Sequence, residues 1–381
     1  GFLSPAPCYG GIRGGISNDL KRIGNVKPIL VQLGSQVNFD AGEKQPFQLT
    51  VDKFEKALQK ATDEGINVRG LILINPNNPL GEIYSRELLM ELLNFAHRHS
   101  LHVVVDEIYM GTIFKSDAVH TSIVNIDNLP DPQRTHMLWG VSKDFGMAGF
   151  RCGVCHSFNQ HLHQALEYLG YFYAIPANVQ HQLTEFLSDK EWLNNVFFPT
   201  NHQRLRETYQ CMSDGLTKLG IAHLHRSAGL FIWADFRLYL RSQTYEAEMD
   251  LYNKFLSGGV NISPGHNFDC AEFGWFRIVF AHPTHELLIA IERIGKVLDE
   301  IKSEICGDSL ELNLVGPDQP VLGAASHEDN TQKKEDCLED LLTGLQHQIK
   351  TSNWLKDNTA EKWINENPML YQEYKEAANK H

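Results

Sequence analysis

Between residues 68 and 157, short β-branched segments alternate with amphipathic helical patterns, and this alternation limits the fold more than any other feature. Parallel strands joined by crossover helices produce such an order. Strands are predicted at 68–74, 101–105 and 136–141, and a fourth is expected from Arg151. Ser85 is the predicted N-cap of a helix that ends near His99. The sequence therefore predicts an α/β fold whose large domain has a mostly parallel sheet.

The second part of the chain has a different pattern. Residues 176–220 are predicted to be mostly helical. Aromatic-rich strands are expected at 230–236 and 275–280, with one helix between them near 247–256 and another near 287–301. We expect a large domain over 1–175, and linking helices followed by a smaller α+β domain over 176–302.

The composition changes from Ser303 onward. Residues 303–381 contain 15 Asp and Glu residues, 7 Lys residues and no Arg, so they carry a net charge of −8 out of −13 for the whole chain. Such a segment is typical of an acidic, flexible appendage. One short amphipathic helix is predicted between Leu338 and Ile349. A segment that docks a partner is the alternative interpretation.

Charge and hydropathy exclude several classes of function. A net charge of −13 leaves no broad cationic surface for nucleic acid. No apolar run approaches the roughly 20 residues that cross a bilayer, so no membrane span is expected. The seven cysteines are scattered and no secretory signal is visible, which indicates a reducing cytoplasm. Because the first residue is Gly1 and not methionine, we also expect a fragment or a processed chain.

Three polar clusters follow predicted parallel strands: 75–81, Asp106 to Tyr109, and Ser142 with Lys143. Ligands bind at this edge of an open α/β sheet. A lysine amine and a carboxylate are what pyridoxal phosphate requires, for a Schiff base and for a protonated pyridine nitrogen. Arg151 is suitably spaced to bind the phosphate. Taken alone, Asp106 and Lys143 would more often form an ion pair or belong to a solvated loop.

Four motifs, in this order along the chain, resemble the signature of fold-type I aminotransferases, which depend on pyridoxal phosphate. They are similar above all to those of 1-aminocyclopropane-1-carboxylate synthases and synthase-like proteins. The similarity extends over about 1–302 and includes Asn261-Ile262-Ser263-Pro264-Gly265. The motifs are Asn75-Pro76-x-Asn78-Pro79-Leu80-Gly81, Asp106-Glu107-Ile108-Tyr109, Ser142-Lys143-Asp144-Phe145-Gly146-x-x-Gly149-Phe150-Arg151-x-Gly153 and Gly274-Trp275-Phe276-Arg277.

The resemblance implies a role for each matching residue. Lys143 would form the Schiff base and move the substrate's Cα proton. Asp106 would pair with the pyridine nitrogen, and Arg277 would bind the α-carboxylate of the substrate. The remaining cofactor contacts are implied to come from Asn78 and Tyr109 at the phenolic oxygen, from Arg151 at the phosphate, from Tyr9 stacked on the ring, and from Ser142.

Two departures from the family pattern accompany the resemblance. The family's large domain begins well before the position equivalent to Gly1, and that stretch supplies phosphate contacts and groups that reach a partner subunit. Gly140, three residues before Lys143, occupies a position where many relatives have a phosphate-binding serine. Reduced affinity for the phosphate, or compensation by Ser142, is therefore expected.

The sequence leads to two hypotheses about function. The first is an enzyme that uses pyridoxal phosphate on α-amino acids, by transamination or by elimination, and the resemblance also implies a homodimer. The second is a catalytically inactive homologue that serves as a binding or scaffold protein. No metal site is expected, because Cys152 and Cys155 have no second pair and the i,i+2 histidine pairs point apart on a helix. The amino-acid substrate is not determined by these motifs.

Overall fold

The structure is a computed structural model that describes residues 1–12, 24–41 and 43–312. Residues Gly1–Glu300 form one compact unit, and a second unit begins at Ile301. The border between the domains predicted over 1–175 and 176–302 stays a prediction. The helix predicted between Leu338 and Ile349 lies outside the described residues.

The large sheet has the strand order β2-β1-β3-β4-β5-β6 within the described residues. Strands β1 to β5 are parallel, and β6 is antiparallel to β5. The predicted α/β class with a mostly parallel sheet is therefore confirmed. In chain order the elements are β1 (Phe2–Ala6), β2 (Pro28–Gln32), α1 (Val51–Asp63), β3 (Gly70–Ile74), α2 (Arg86–Arg98), β4 (His102–Asp106), β5 (Thr135–Gly140), α3 (Val141–Asp144) and β6 (Gly153–Ser157).

Helix α2 forms where the sequence predicts it. The Ser85 hydroxyl accepts a hydrogen bond from the Leu88 amide at 3.2 Å and so satisfies one of the free donors at the helix start. The apolar face is buried against the sheet, as the helical spacing indicates. This face contains Leu89, Leu92, Leu93, Phe95 and Ala96.

Strands β1 and β2 have no clear signal in the sequence. Strand β1 is buried along its whole length, so it has no alternation of polar and apolar residues. It also contains Pro5, and proline normally argues against a central strand. Pro5 is tolerated because β1 pairs with β3 only at Phe2 and Leu3.

The remaining elements are mainly helices and a second sheet. This sheet is antiparallel, with the order β7-β8-β10-β9. Strands β8 and β10 and helix α8 confirm the predicted small α+β arrangement. The elements are α4 (Gln160–Gly170), α5 (Ala177–Ser188), α6 (Lys190–Trp192), a π-helical turn Leu193–Phe197, α7 (Phe198–Lys218), β7 (Ala222–His223), β8 (Phe231–Asp235), α8 (Tyr245–Ser257), β9 (Ser263–Pro264), β10 (Trp275–Val279) and α9 (Thr284–Leu312).

Helix α9 continues through Ser303, where the composition changes, to Leu312. The rest of the predicted acidic appendage lies outside the described residues. Among the helices that the structure describes, none is long and apolar enough to cross a membrane.

Candidate active site

The three predicted polar clusters lie at one edge of the large sheet. Strands β3, β4 and β5 are parallel, and in their register Ile74 pairs with Asp106 and Asp106 pairs with Leu138. The loop that begins at Asn75, the turn after Asp106 and the helix that holds Lys143 therefore follow neighbouring strand ends.

Asp106 is a largely buried carboxylate with few partners. Its Oδ1 accepts a hydrogen bond from the Ile108 amide at 3.0 Å. Burial raises the pKa of Asp106, and the Ile108 hydrogen bond opposes that shift. Within the described part of the chain, no cationic side chain forms an ion pair with it. A cation placed beside Asp106 would stabilise its ionised form.

A hydrogen bond joins Asn78, in the loop after β3, to Arg277 on β10. Asn78 is buried, and its Oδ1 accepts from Nη1 of Arg277 at 3.0 Å. The two residues are 199 positions apart, so this contact brings the second sheet to the edge of the first.

The Arg277 guanidinium lies between two aromatic rings, 5.2 Å from the Phe231 centroid and 4.7 Å from that of Phe268. Its Nε is buried and makes no hydrogen bond. No carboxylate in the described residues forms an ion pair with it, and burial lowers its pKa. A buried N–H without a partner is costly. An anionic oxygen that reached this nitrogen would satisfy its N–H.

Tyr109 lies beside Arg277. Its ring meets Phe231 edge to face, with 5.5 Å between the centroids, and the residue is 5% exposed. Burial raises the pKa of Tyr109 to about 12, while the Arg277 charge acts in the opposite direction. The hydroxyl therefore remains protonated near neutral pH and can donate a hydrogen bond.

Tyr9 comes from the loop after β1 and is half exposed. The loop is fixed by a hydrogen bond from the Cys8 amide to the Phe268 carbonyl at 2.8 Å. A Cβ on Gly11 would lie 2.3 Å from the Tyr9 ring, so a larger residue here would require that ring to shift. Tyr9 also acts electrostatically on Tyr109 and Arg277, which places it at the same site.

The structure thus brings together Asn78, Asp106, Tyr109, Tyr9 and Arg277. The predicted residues on the segment after β5 are less connected. Lys143 is exposed in α3 and Ser142 is half buried. Arg151 is exposed, has a left-handed backbone (φ 53°), and donates to the Ala148 carbonyl at 3.1 Å. Among the described residues, none of these three hydrogen-bonds to the other predicted site residues.

Asp144, next to Lys143 in α3, was not among the predicted site residues. Its Oδ2 accepts from the Trp139 indole at 2.8 Å, and the Gly111 amide also donates to the carboxyl group. The Asp144 Oδ1 is buried and has no partner. Because Gly111 follows Tyr109 by two positions, Asp144 connects the lysine-bearing turn to the tyrosine-bearing turn. Its place directly after Lys143 was the only signal in the sequence.

Gly140 is at a close approach of two backbones. A Cβ at this position would lie 2.9 Å from the Cys152 carbonyl and 3.4 Å from the Gly153 Cα. Strands β5 and β6 therefore leave no space for a serine here without a backbone shift, which explains this departure from the family pattern physically.

The weaker sequence signals do not form a site. Cys152 and Cys155 are free thiols, and the described residues contain no metal-binding cluster of His, Cys, Asp or Glu. The histidines have structural partners: His223 is bonded to Ser213 at 2.8 Å and His99 to Glu55 at 2.9 Å.

Comparison with known proteins identifies relatives of this chain. The family model "Aminotransferase class I and II" matches residues 25–294. The 1-aminocyclopropane-1-carboxylate synthase-like protein 1 of Bos taurus is 46% identical over 298 residues, which cover 78% of this chain and 58% of that protein. The "Probable inactive 1-aminocyclopropane-1-carboxylate synthase-like protein 2" of Homo sapiens is 43% identical over 310 residues, or 81% of this chain and 54% of that protein.

The fold has counterparts among solved structures. An aromatic aminotransferase from Pyrococcus horikoshii superposes with a TM-score of 0.66 at 24% identity, covering 79% of this chain and 74% of that chain. The resemblance stated from the motifs, and the fold-type I class, are therefore confirmed. This chain spans less than two-thirds of the length of the two curated relatives.

Asp144 makes the stability of the protein depend on pH. Burial raises its pKa from 3.8 to about 7, so the folded state retains a proton that the unfolded state releases over this interval. The associated stability is complete below pH 3.8 and is lost as the pH rises through about 7. Relative to Asp144→Asn, the wild type should lose up to roughly 4 kcal/mol of unfolding free energy across that interval.

Denaturant unfolding at a series of pH values measures this difference. Asp117→Asn, which changes an exposed carboxylate, is the matched control and should differ from the wild type by a constant amount. A constant difference for Asp144→Asn as well would contradict the assignment.

Proposed function

The chain belongs to the class I and II aminotransferase family, and we propose that it is a pyridoxal-phosphate enzyme that acts on α-amino acids. The observation that carries the proposal is Arg277, a half-buried cation whose Nε is buried without a hydrogen-bond partner and which has no carboxylate partner among the described residues. An α-carboxylate supplies the missing acceptor and the missing charge.

Pyridoxal phosphate is the cofactor of this family, and the donor set fits it. The carboxyl of Asp106 is buried, has its pKa raised by burial and lacks a cation, which suits a protonated pyridine nitrogen. Asn78 and Tyr109 would donate to the phenolic oxygen, and Tyr9 would stack on the ring. Ser142, Lys143 and Arg151 would hold the phosphate end and the aldehyde carbon.

When bound, the cofactor supplies an acceptor for the electron pair that remains after the Cα–H bond of the amino acid breaks. The residues of the chain have separate tasks. Arg277 binds the α-carboxylate and so orients the Cα–H bond. Lys143 takes the proton from Cα. Asp106 holds the proton on the ring nitrogen, which keeps the ring electron-deficient.

These residues do not determine which reaction follows the removal of the Cα proton. Transamination, and the loss of a group from Cγ that gives ring closure or elimination, would both begin with the removal of the Cα proton by Lys143. Arg277 recognises only the part that all α-amino acids share. Amine transfer to an oxo acid and turnover of S-adenosylmethionine are the two assays that separate these reactions. A cytoplasmic location stays a prediction.

The proposal requires Lys143 to be the residue that binds the cofactor covalently. After incubation with pyridoxal phosphate and reduction with borohydride, peptide mapping should find a pyridoxyl group on Lys143. Lys143→Ala should lack it. Lys44, which is also exposed, provides the control, because Lys44→Ala should retain the modification at Lys143. Modification spread over several lysines, or none at Lys143, would contradict the proposal.

The alternative is a catalytically inactive homologue that binds a ligand or a partner. It is supported by the human relative whose name calls it probably inactive, and by Gly140, which leaves no space for a phosphate-binding serine. A Lys143 adduct in a protein that turns over no amino acid would favour this alternative.

We further propose that the protein is a homodimer. Helix α4 has no buried residue, although it is amphipathic. The end of this helix and the residues that follow it form an aromatic surface of Tyr168, Tyr171, Phe172 and Tyr173, which are 77–86% exposed. At about 150–250 Å² for each buried aromatic, this surface offers roughly 500–800 Å², close to the ~800 Å² per partner of a standard interface. A second copy of the chain is the proposed occupant.

Replacement of Tyr171, Phe172 and Tyr173 by serine should therefore abolish self-association, because it removes the apolar area that a partner would cover. Sedimentation equilibrium measures the outcome. Phe39, Val119 and Leu288 are exposed elsewhere, so their replacement by serine is a matched control that should leave the dimer intact. A monomeric wild type, or a variant that still dimerises, would refute this assembly.

A further inference from the structure

The segment from Arg226 to Gly229, which precedes β8, contacts two of the segments that carry the predicted cofactor residues. Towards the loop after β3, Nε of Arg226 donates to the Leu80 carbonyl at 3.2 Å. A Cβ on Gly81 would lie 3.1 Å from the Ala228 carbonyl, so the two backbones are closely packed. This side of the segment supports the loop that contains Asn78.

The other side of the segment contacts the turn after β4. The Phe114 amide donates to the Ser227 carbonyl at 3.0 Å. The Gly229 amide donates to the hydroxyl of Thr112, also at 3.0 Å. These two hydrogen bonds join the turn that follows Tyr109 to residues more than 110 positions away in the sequence.

Thr112 is the residue through which this second contact reaches Tyr109. It is fully buried, and its hydroxyl donates to the Tyr109 carbonyl at 2.6 Å while it accepts from Gly229. The hydroxyl has one proton, which points to Tyr109, and its lone pair faces Gly229. Serine can make the same two bonds, whereas valine has the same shape and can make neither.

Phe231 connects the bond between Thr112 and Gly229 to the rest of the site. It follows Gly229 by two positions, and its ring packs against both Tyr109 and the Arg277 guanidinium. The hydrogen bonds of Thr112 therefore fix the backbone of Tyr109 relative to the strand whose aromatic ring supports the phenol and the guanidinium.

We propose that Thr112 is a positioning residue, which fixes the position of Tyr109 relative to the second sheet, the one that carries Arg277. The inference rests on the proposed function, in which the Tyr109 hydroxyl donates to the phenolic oxygen of the cofactor. With Thr112 in place, the phenol is held at one distance from that oxygen. Without its hydroxyl, the Gly229 amide loses its acceptor, and the turn from Tyr109 to Phe114 loses one of its two hydrogen bonds to the segment before β8.

The test compares Thr112→Val, Thr112→Ser and the wild type. Thr217→Val is the control, because the Thr217 hydroxyl donates to a carbonyl, that of Ser213 at 2.9 Å, but lies on the exposed side of α7. The first readout is hydrogen exchange in the peptides that contain 109–114 and 226–231. The second is the pH titration of the absorbance of bound pyridoxal phosphate, which reports the hydrogen bond from Tyr109.

Thr112→Val should exchange at least tenfold faster in both peptides, and the midpoint of its absorbance titration should move by about one pH unit. Thr112→Ser and Thr217→Val should behave as the wild type does. Unchanged exchange in Thr112→Val would overturn the proposal, and so would faster exchange with an unmoved titration, which would make the role of Thr112 merely structural.

Different results would refute the proposed function and the role of Thr112. A wild type that forms no Lys143 adduct refutes the proposed function. A Thr112→Val protein that forms the adduct and titrates like the wild type refutes the role of Thr112 alone.

Discussion

The candidate site depends on one half-buried cation. The Arg277 guanidinium lies between Phe231 and Phe268, and within the described residues its only side-chain hydrogen bond is to Asn78. Desolvating a guanidinium is expensive when its charge is not compensated. Such a group with one N–H unpaired suits the anion that we propose it binds, and its bond to Asn78 connects the second sheet to the loop after β3.

The other groups of the site follow from the same constraint. The parallel register of β3, β4 and β5 brings Asn75, Asp106 and Gly140 to one edge of the sheet, so the loops that follow are neighbours. The segment before β8 then fixes two of these loops from the opposite side, through Arg226 and Thr112. Asp144 fixes the third turn, because its carboxyl group binds both Trp139 and Gly111. The site is therefore held at the junction of two sheets.

Much of this arrangement could be predicted from the sequence, because strand ends and turn residues have local signals. The clusters at Asn75, Asp106 and Ser142 lie where the strand pattern predicts them. Contacts between distant residues have no such signal: nothing local indicates that Arg277 binds Asn78 or that Thr112 accepts from Gly229. The protonation of Asp144 also depends on burial, which only tertiary packing determines. Strand β1 was missed because its uniform burial and Pro5 conceal the pattern of a strand.

The most direct test of the account is whether Arg277 recognises a carboxylate. Binding of alanine and of alaninamide to the cofactor-loaded protein is measured from the absorbance of the bound cofactor, for the wild type and for Arg277→Gln, which is neutral but can still donate to Asn78. We predict that the wild type prefers alanine by roughly 10- to 100-fold, the equivalent of about 1.5–3 kcal/mol for a charged hydrogen bond, and that the variant has no preference. An equal preference in both proteins would contradict the account.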